Sequence, residues 1–250
     1  MERFRSAVRP HDCGLVLAAI AGADPNDPTA TSLPYSYDTS ESGRRFRIGV
    51  LKGVTDEVRD VVRANFEKAL ETLSAVADVE EIEFPDMPYE EITRTILFAE
   101  ASSAFEDFVD AGLNAELTAP EDHYGPFPRV AVLAKDYLRA MRLRGVMAKR
   151  VDEVMARYDV LAAPTNRGVA PPLDQEFRGA IRGSSRDIMG AAGNGAGLPA
   201  ISVPSGFSAE GLPTGIQFMA RPYQENRALA AARAYQGLTA WHTMHPAEIG

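Results

Sequence analysis

The stretch Asn194–Pro222, N-G-A-G-L-P-A-I-S-V-P-S-G-F-S-A-E-G-L-P-T-G-I-Q-F-M-A-R-P, decides how the rest of the chain is read. Its two apolar runs, Ala200–Pro204 and Gly215–Ala220, are set among regularly placed glycines and prolines. Gly195 and Gly197 can adopt positive φ or let another group approach the backbone closely. Gly197 is placed to end a preceding helix, and Pro199 forbids that helix to continue. Ala200 onward then reads as a strand entering a sheet. Pro204, Gly206, Gly211 and Pro213 punctuate the connection to a second strand. A hairpin is one possible connection, although the loop is longer than a tight turn. Asn194 is the polar group placed to do more. Its amide either ties the helix end to the strand or points into a cleft.

Outward from this stretch, strands and helices alternate. Phe46–Leu51 alternates in the manner of a strand. Between Thr55 and Ala77 the apolar residues Val58, Val61, Val62, Phe66, Ala69, Leu70 and Leu73 trace one helix face, with Asp56 and Glu57 set against its N-terminal dipole. V-E-E-I-E-F-P gives a short strand ended by Pro85. A helix is predicted over Pro88–Gly112, with Ile92, Ile96, Phe105 and Phe108 inward. A long one is predicted over Pro128–Tyr158, with Leu133, Tyr137, Leu138, Met141, Val151, Val154 and Met155 as its core stripe. Asp159–Thr165 has the near-continuous apolar character of a strand covered on both faces. Helices are also predicted from Asp12, as N-cap, to a stop at Gly22, from Arg186 to Gly193, and from Gln224 to Ala240. Strand, amphipathic helix, strand is the signature of an α/β layer, in one domain whose last residues, from about position 241, form a tail.

The bulk numbers fit that picture. With 250 residues and 45% hydrophobic content, the chain can bury a substantial core. It carries 35 acidic and 26 basic residues, interspersed, for a net charge of -9, which argues against a nucleic-acid-binding surface. One cysteine, Cys13, allows no internal disulfide and reads as a small buried hydrophobe in an apolar helix. No apolar run of about 18 residues appears, and residues 1–12 lack the apolar middle of a signal peptide. The expectation is a cytoplasmic protein with no membrane contact.

Most familiar chemistries find no foothold. His242 and His245 in W-H-T-M-H are three apart, but two ligands rarely make a metal site, so neither a metal nor a cofactor is expected. No G-x-S-x-G elbow and no G-K-[ST] phosphate loop is present. Nothing selects a glycosidase-like pair among the acidic residues.

Taken together and in order, several segments resemble the amidase signature family, which also takes in the A-type subunits of amidotransferases. They are D-C-G-L-V-L-A-A-I-A-G-A-D-P-N-D-P (Asp12–Pro28), F-R-I-G-V-L, Y-D-V-L-A-A-P-T, N-G-A-G-L-P-A-I-S-V-P-S-G-F, G-L-P-T-G-I-Q-F-M-A-R-P and A-R-A-Y-Q-G-L-T-A-W-H-T-M-H-P. The resemblance implies a mixed β-sheet flanked by helices and chemistry at an amide carbonyl by a Ser-Ser-Lys site. In such a site one serine attacks, a second relays a proton to a neutral lysine, and backbone N–H groups hold the oxyanion. The family carries both serines in a Gly/Ser-rich signature ahead of the D-C-G-L segment. That signature is not found here, so the fold is expected to be incomplete on its N-terminal side, to lack catalytic residues and to be inactive alone.

Two imitations are set aside. R-G-S-S-R-D (Arg182–Asp187) lacks the flanking glycines and falls in the wrong order. Lys135 in L-A-K-D-Y-L sits in an amphipathic helix, and Lys52, Lys68 and Lys149 also read as surface residues. In amidotransferase-like members an aspartate seven residues before the Asn of N-x-x-G-[LI]-P helps to hold the substrate's amino end. Asp187 has that spacing from Asn194, and an exposed carboxylate at a helix start is the competing reading. Asp187 and Asn194 are therefore the substrate-binding candidates. The implied partners are a small amide substrate and a missing N-terminal half. Part of the A-type component of a tRNA-dependent amidotransferase, or a non-catalytic interaction module, is the alternative.

Overall fold

The computed structural model describes residues 9–27, 29–40, 43–118, 123, 131–173 and 187–244. They group into two compact units. The first comprises Met1–Glu83, Met155–Val169 and Pro199–Gly250, and the second Phe84–Val154 and Ala170–Leu198.

The first unit is built on a mixed five-stranded sheet. Its strands are β1 (Phe46–Leu51), β2 (Ala77–Ile82), β3 (Val160–Pro164), β4 (Ala200–Phe207) and β5 (Pro213–Met219), in the order β2-β1-β3-β5-β4. β1 pairs in parallel with β2 and β3, whereas β5 runs antiparallel to β3 and to β4. The alternation of side chains sends Phe46, Ile48, Val160, Ala162, Val203, Ile216 and Phe218 to one face. There α2 (Asp60–Leu73) contributes Phe66, Ala69 and Leu73, and α7 (Glu225–Leu238) contributes Ala228, Ala231, Ala232 and Tyr235. Fully burying each of the large side chains contributes about 1.5–3 kcal/mol. β3 is buried at every position, as its uninterrupted apolar run requires.

The antiparallel pair is a hairpin, and its strands run further than the apolar runs show. Ser205–Phe207 continue β4 through an irregularity between Pro204 and Gly206. Asn65 of α2 donates to Phe207 O and Thr214 Oγ1 there, filling the space a Cβ on Gly206 (φ 154°) would need. The remaining loop closes through Ser208 N to Leu212 O at 2.8 Å, with Gly211 left-handed at φ 80°. Trp241 meets Phe207 edge-on at 6.0 Å between ring centroids.

α1 (Pro10–Ile20) belongs to this unit and departs from its predicted boundaries. Arg9 holds the cap position, Pro10 the first turn, and Asp12 lies inside the helix. Only Pro10 and Gly14 of α1 are buried; Leu15, Val16 and Ile20 are exposed, and Cys13 is half-buried rather than buried.

The second unit is helical: α3 (Tyr89–Ala104), α4 (Glu106–Asp110), most of α5 (Ala134–Met155) and α6 (Ile188–Ala196). The single helix predicted over Pro88–Gly112 breaks at Phe105, which is 55% exposed rather than inward. The buried residues of α5 are Ala140, Met147, Val151 and Met155, at offsets of seven, four and four. Leu133, Leu138 and Met141 are exposed. The predicted stripe shared Val151 and Met155 with the buried face but took in exposed residues and left out Ala140 and Met147, and so mixed two faces. Pro128, Arg186 and His245 lie outside the described residues, as do Arg182–Arg186 of R-G-S-S-R-D.

Candidate functional site

Asp187 stands at the N-cap of α6, where its Oδ1 accepts the Gly190 N–H at 2.8 Å. That bond satisfies one of the orphan amides of the first turn. A Cβ on Gly190 would lie 2.2 Å from Asp187 Oδ2, so a side chain there would have to displace the capping carboxylate from this position. Two turns on, Asn194 Nδ2 donates to Gly190 O at 2.9 Å. The amide thus ties back onto its own helix and not onto the strand. Seven residues bring Asp187 and Asn194 to one face of α6, about 10 Å apart along the axis. Both are exposed.

The glycines of Asn194–Leu198 serve the end of this helix. Gly197 is left-handed (φ 69°, ψ 44°), its N–H donates to Asn194 O, and Leu198 N donates to Gly193 O at 2.9 Å. This is a Schellman motif, and it satisfies two carbonyls that a helix end would otherwise leave open. Gly195 has a different task. A Cβ on it would stand 2.2 Å from Met147 Cε and 2.8 Å from Thr93 Oγ1. Its missing side chain is what lets α6 lie this close to α3 and α5.

Three side chains of the second unit fix α6 by its main chain. Glu90 Oε1 accepts the Asp187 N–H at 2.6 Å, Thr93 Oγ1 donates to Ala191 O at 2.9 Å, and Arg144 Nε donates to Gly195 O at 2.7 Å. Arg144 places a cation at the negative end of the helix dipole. Glu90, Thr93 and Arg144 were not found in the sequence. All three sit on helices among other polar residues, and no local spacing marks them.

A second polar group lies within the first unit, at the carboxyl end of β3. Thr165 Oγ1 and Ser202 Oγ share a hydrogen bond at 2.6 Å, and Gln217 Nε2 donates to Pro164 O at 3.0 Å. A Cβ on Gly215 would come 2.7 Å from Thr165 Oγ1, so these hydroxyls exclude a side chain there. All four lysines, Lys52, Lys68, Lys135 and Lys149, are exposed. Burial pushes the Cys13 thiol up, with the Asp12 charge adding to the effect, which disfavours the nucleophilic thiolate. Among the described residues no group of three or more His, Cys, Asp or Glu side chains is arranged to hold a metal ion. Nor is any described helix long and apolar enough to cross a membrane.

The sequence pattern of the amidase family matches residues 7–229. The chain belongs to the amidase family. The family's members include the A-type component of the glutamyl-tRNA(Gln) amidotransferase of Roseiflexus sp. (strain RS-1), 32% identical over 94% of this chain and 54% of its own length. Solved structures similar to this chain include one from Thermotoga maritima and one from Stenotrophomonas maltophilia. The corresponding glutamyl-tRNA(Gln) amidotransferase component of Thermotoga maritima has a TM-score of 0.69 at 25% identity, covering 95% of this chain and 53% of that one. The peptide amidase of Stenotrophomonas maltophilia has a TM-score of 0.68 at 26% identity, covering 92% and 51%. The amidase-family chain therefore spans about half the length of the relatives it matches. The mixed sheet and its flanking helices are the fold the sequence resemblance implies.

Proposed function

We propose that this chain forms the substrate-bordering part of an amidase that cleaves a carboxylic amide C–N bond in the cytoplasm. In this reading residues 1–250 are the later part of one amidase-like domain. Asp187 offers a carboxylate to a positively charged or amide N–H group of the substrate, and Asn194 borders the same ligand. The nucleophilic serine, the relay serine and the lysine come from a polypeptide carrying the family's Gly/Ser-rich signature, so the chain alone is inactive. The observation that supports this reading most directly is the α6 face, with two exposed polar side chains on a helix held at three main-chain points. An amidotransferase role, in which ammonia passes to a second substrate, is favoured by the Roseiflexus and Thermotoga maritima relatives.

Ammonia release from simple primary amides tests the proposal. The purified chain is expected to release none. Joined to a signature-bearing amidase segment it is expected to release ammonia, at a rate that Asp187→Asn lowers. Turnover by the chain alone, abolished by replacing one of its own serines, would overturn it.

A further inference from the structure

In the first unit, α1 is apolar on more sides than its neighbours cover. Its inner side is accounted for: Gly14 sits against the Tyr37 ring, where a Cβ would come within 2.3 Å of Cε2. On the outer side Leu15, Val16 and Ile20 are 51%, 53% and 75% exposed, and Ala19 is exposed as well. Leu15 with Ala19 and Val16 with Ile20 are i, i+4 pairs, so the four side chains form one continuous ridge. No charged residue interrupts the sequence from Cys13 to Gly22. A helix apolar all round is ordinarily buried all round. A ridge without charge selects its partner by apolar packing, not by electrostatic steering.

The relatives indicate what such a partner is. This chain accounts for 54% of the Roseiflexus protein and 53% of the Thermotoga maritima protein, so each of them contains nearly as much polypeptide again. We propose that the Leu15, Val16, Ala19 and Ile20 ridge of α1 is the docking surface for the polypeptide that carries the Gly/Ser-rich signature. This rests on the reading given under Proposed function, and it locates the contact on residues outside the substrate-bordering helix.

The test co-expresses the full 250-residue chain with the signature-bearing portion of the Roseiflexus protein and measures their association by co-purification and sedimentation. A one-to-one complex is expected. Val16→Asp and, separately, Ile20→Asp should each weaken it at least tenfold while leaving the circular dichroism spectrum of the free chain unchanged. Leu238→Asp, at another exposed apolar position of the same unit, should leave association as it is. Failure to form a complex, or a complex indifferent to both α1 substitutions, would overturn the proposal. So would a wild-type homodimer that Val16→Asp dissolves, because the ridge would then serve a second copy. A complex that needs the ridge yet releases no ammonia from amides would leave the docking surface standing and sink the proposed function.

Discussion

Gly195→Ala isolates the contact on which the placement of α6 depends. The new Cβ would stand 2.2 Å from Met147 Cε and 2.8 Å from Thr93 Oγ1, both distances at which something must move. Met147 is fully buried, so any shift of its methyl must take place within the packed interior. Thr93 is stiff at χ1 and its hydroxyl is engaged by Ala191 O. Overpacking of this kind costs about 1–3 kcal/mol. Losing the threonine bond adds about 1 kcal/mol. Replacing a helical glycine by alanine returns about 1 kcal/mol. The balance is a loss of about 1–3 kcal/mol, seen in urea unfolding as a lower midpoint at unchanged slope. Gly145→Ala in α5 is the control, because its Cβ meets nothing within 4 Å. It should raise stability by up to about 1 kcal/mol. In a Met147→Ala background the penalty of Gly195→Ala should shrink by about 1 kcal/mol, since neighbouring substitutions couple. If Gly195→Ala stabilises the chain as Gly145→Ala does, α6 does not lie so close to α3 and α5.

Asp187→Ala should lower stability by about 1 kcal/mol through loss of the cap, whereas Asp187→Asn should stay within about 0.5 kcal/mol of the wild type in a thermal melt. Loss of ammonia release in the complemented enzyme with Asp187→Asn would then report the charge and not the fold. Burial pushes the Tyr235 phenol from its ordinary 10.0 up to about 12. Between those values the unfolded chain gives up a proton that the folded chain keeps. The stability due to Tyr235 is therefore complete below pH 10 and falls above it by about 1.4 kcal/mol per pH unit. Tyr235→Phe should remove one proton's share of that slope in urea titrations at alkaline pH. Asp159 joins Arg44 and Arg227 and accepts the Arg47 N–H, with its side chain 10% exposed. Asp159→Ala should cost about 2–4 kcal/mol in the same assay, because it leaves two guanidinium groups facing each other without their shared carboxylate.

Most of the sheet was legible in the sequence because β1, β3, the start of β4 and the later part of β5 lie in short apolar runs bounded by breakers, whereas β2, with three acidic residues, begins earlier than its apolar residues suggested. β1 and β3 emerge within a residue of their predicted limits. The helix stop at Gly197 was legible for a similar reason, since only a residue without Cβ settles cheaply at φ 69°. What the sequence hid is whatever depends on contacts across it. The role of Gly195 is set by Met147 and Thr93, which lie 48 and 102 positions away. Ser205–Phe207 read as loop because proline and glycine dominate there, yet Asn65 reaches in from α2 and holds the bulge that keeps them in the strand. The faces of α5 misled in another way. An apolar pattern shows which residues suit a core, but which of two stripes is covered depends on the neighbour. The spacing of Asp187 and Asn194 was legible. That both would anchor to a single residue, Gly190, was not.

The hold on α6 has a consequence of its own. The hydrogen bonds of Glu90, Thr93 and Arg144 to α6 all go to its peptide groups. A helix held by its backbone can exchange what it displays without losing its position. Under the proposed substrate-bordering role, substitutions at Asn194, which takes no part in that grip, should change what the face recognises and leave the helix where it is. Such an arrangement lets an amidase scaffold drift from one amide to another through single replacements, with the frame inherited intact.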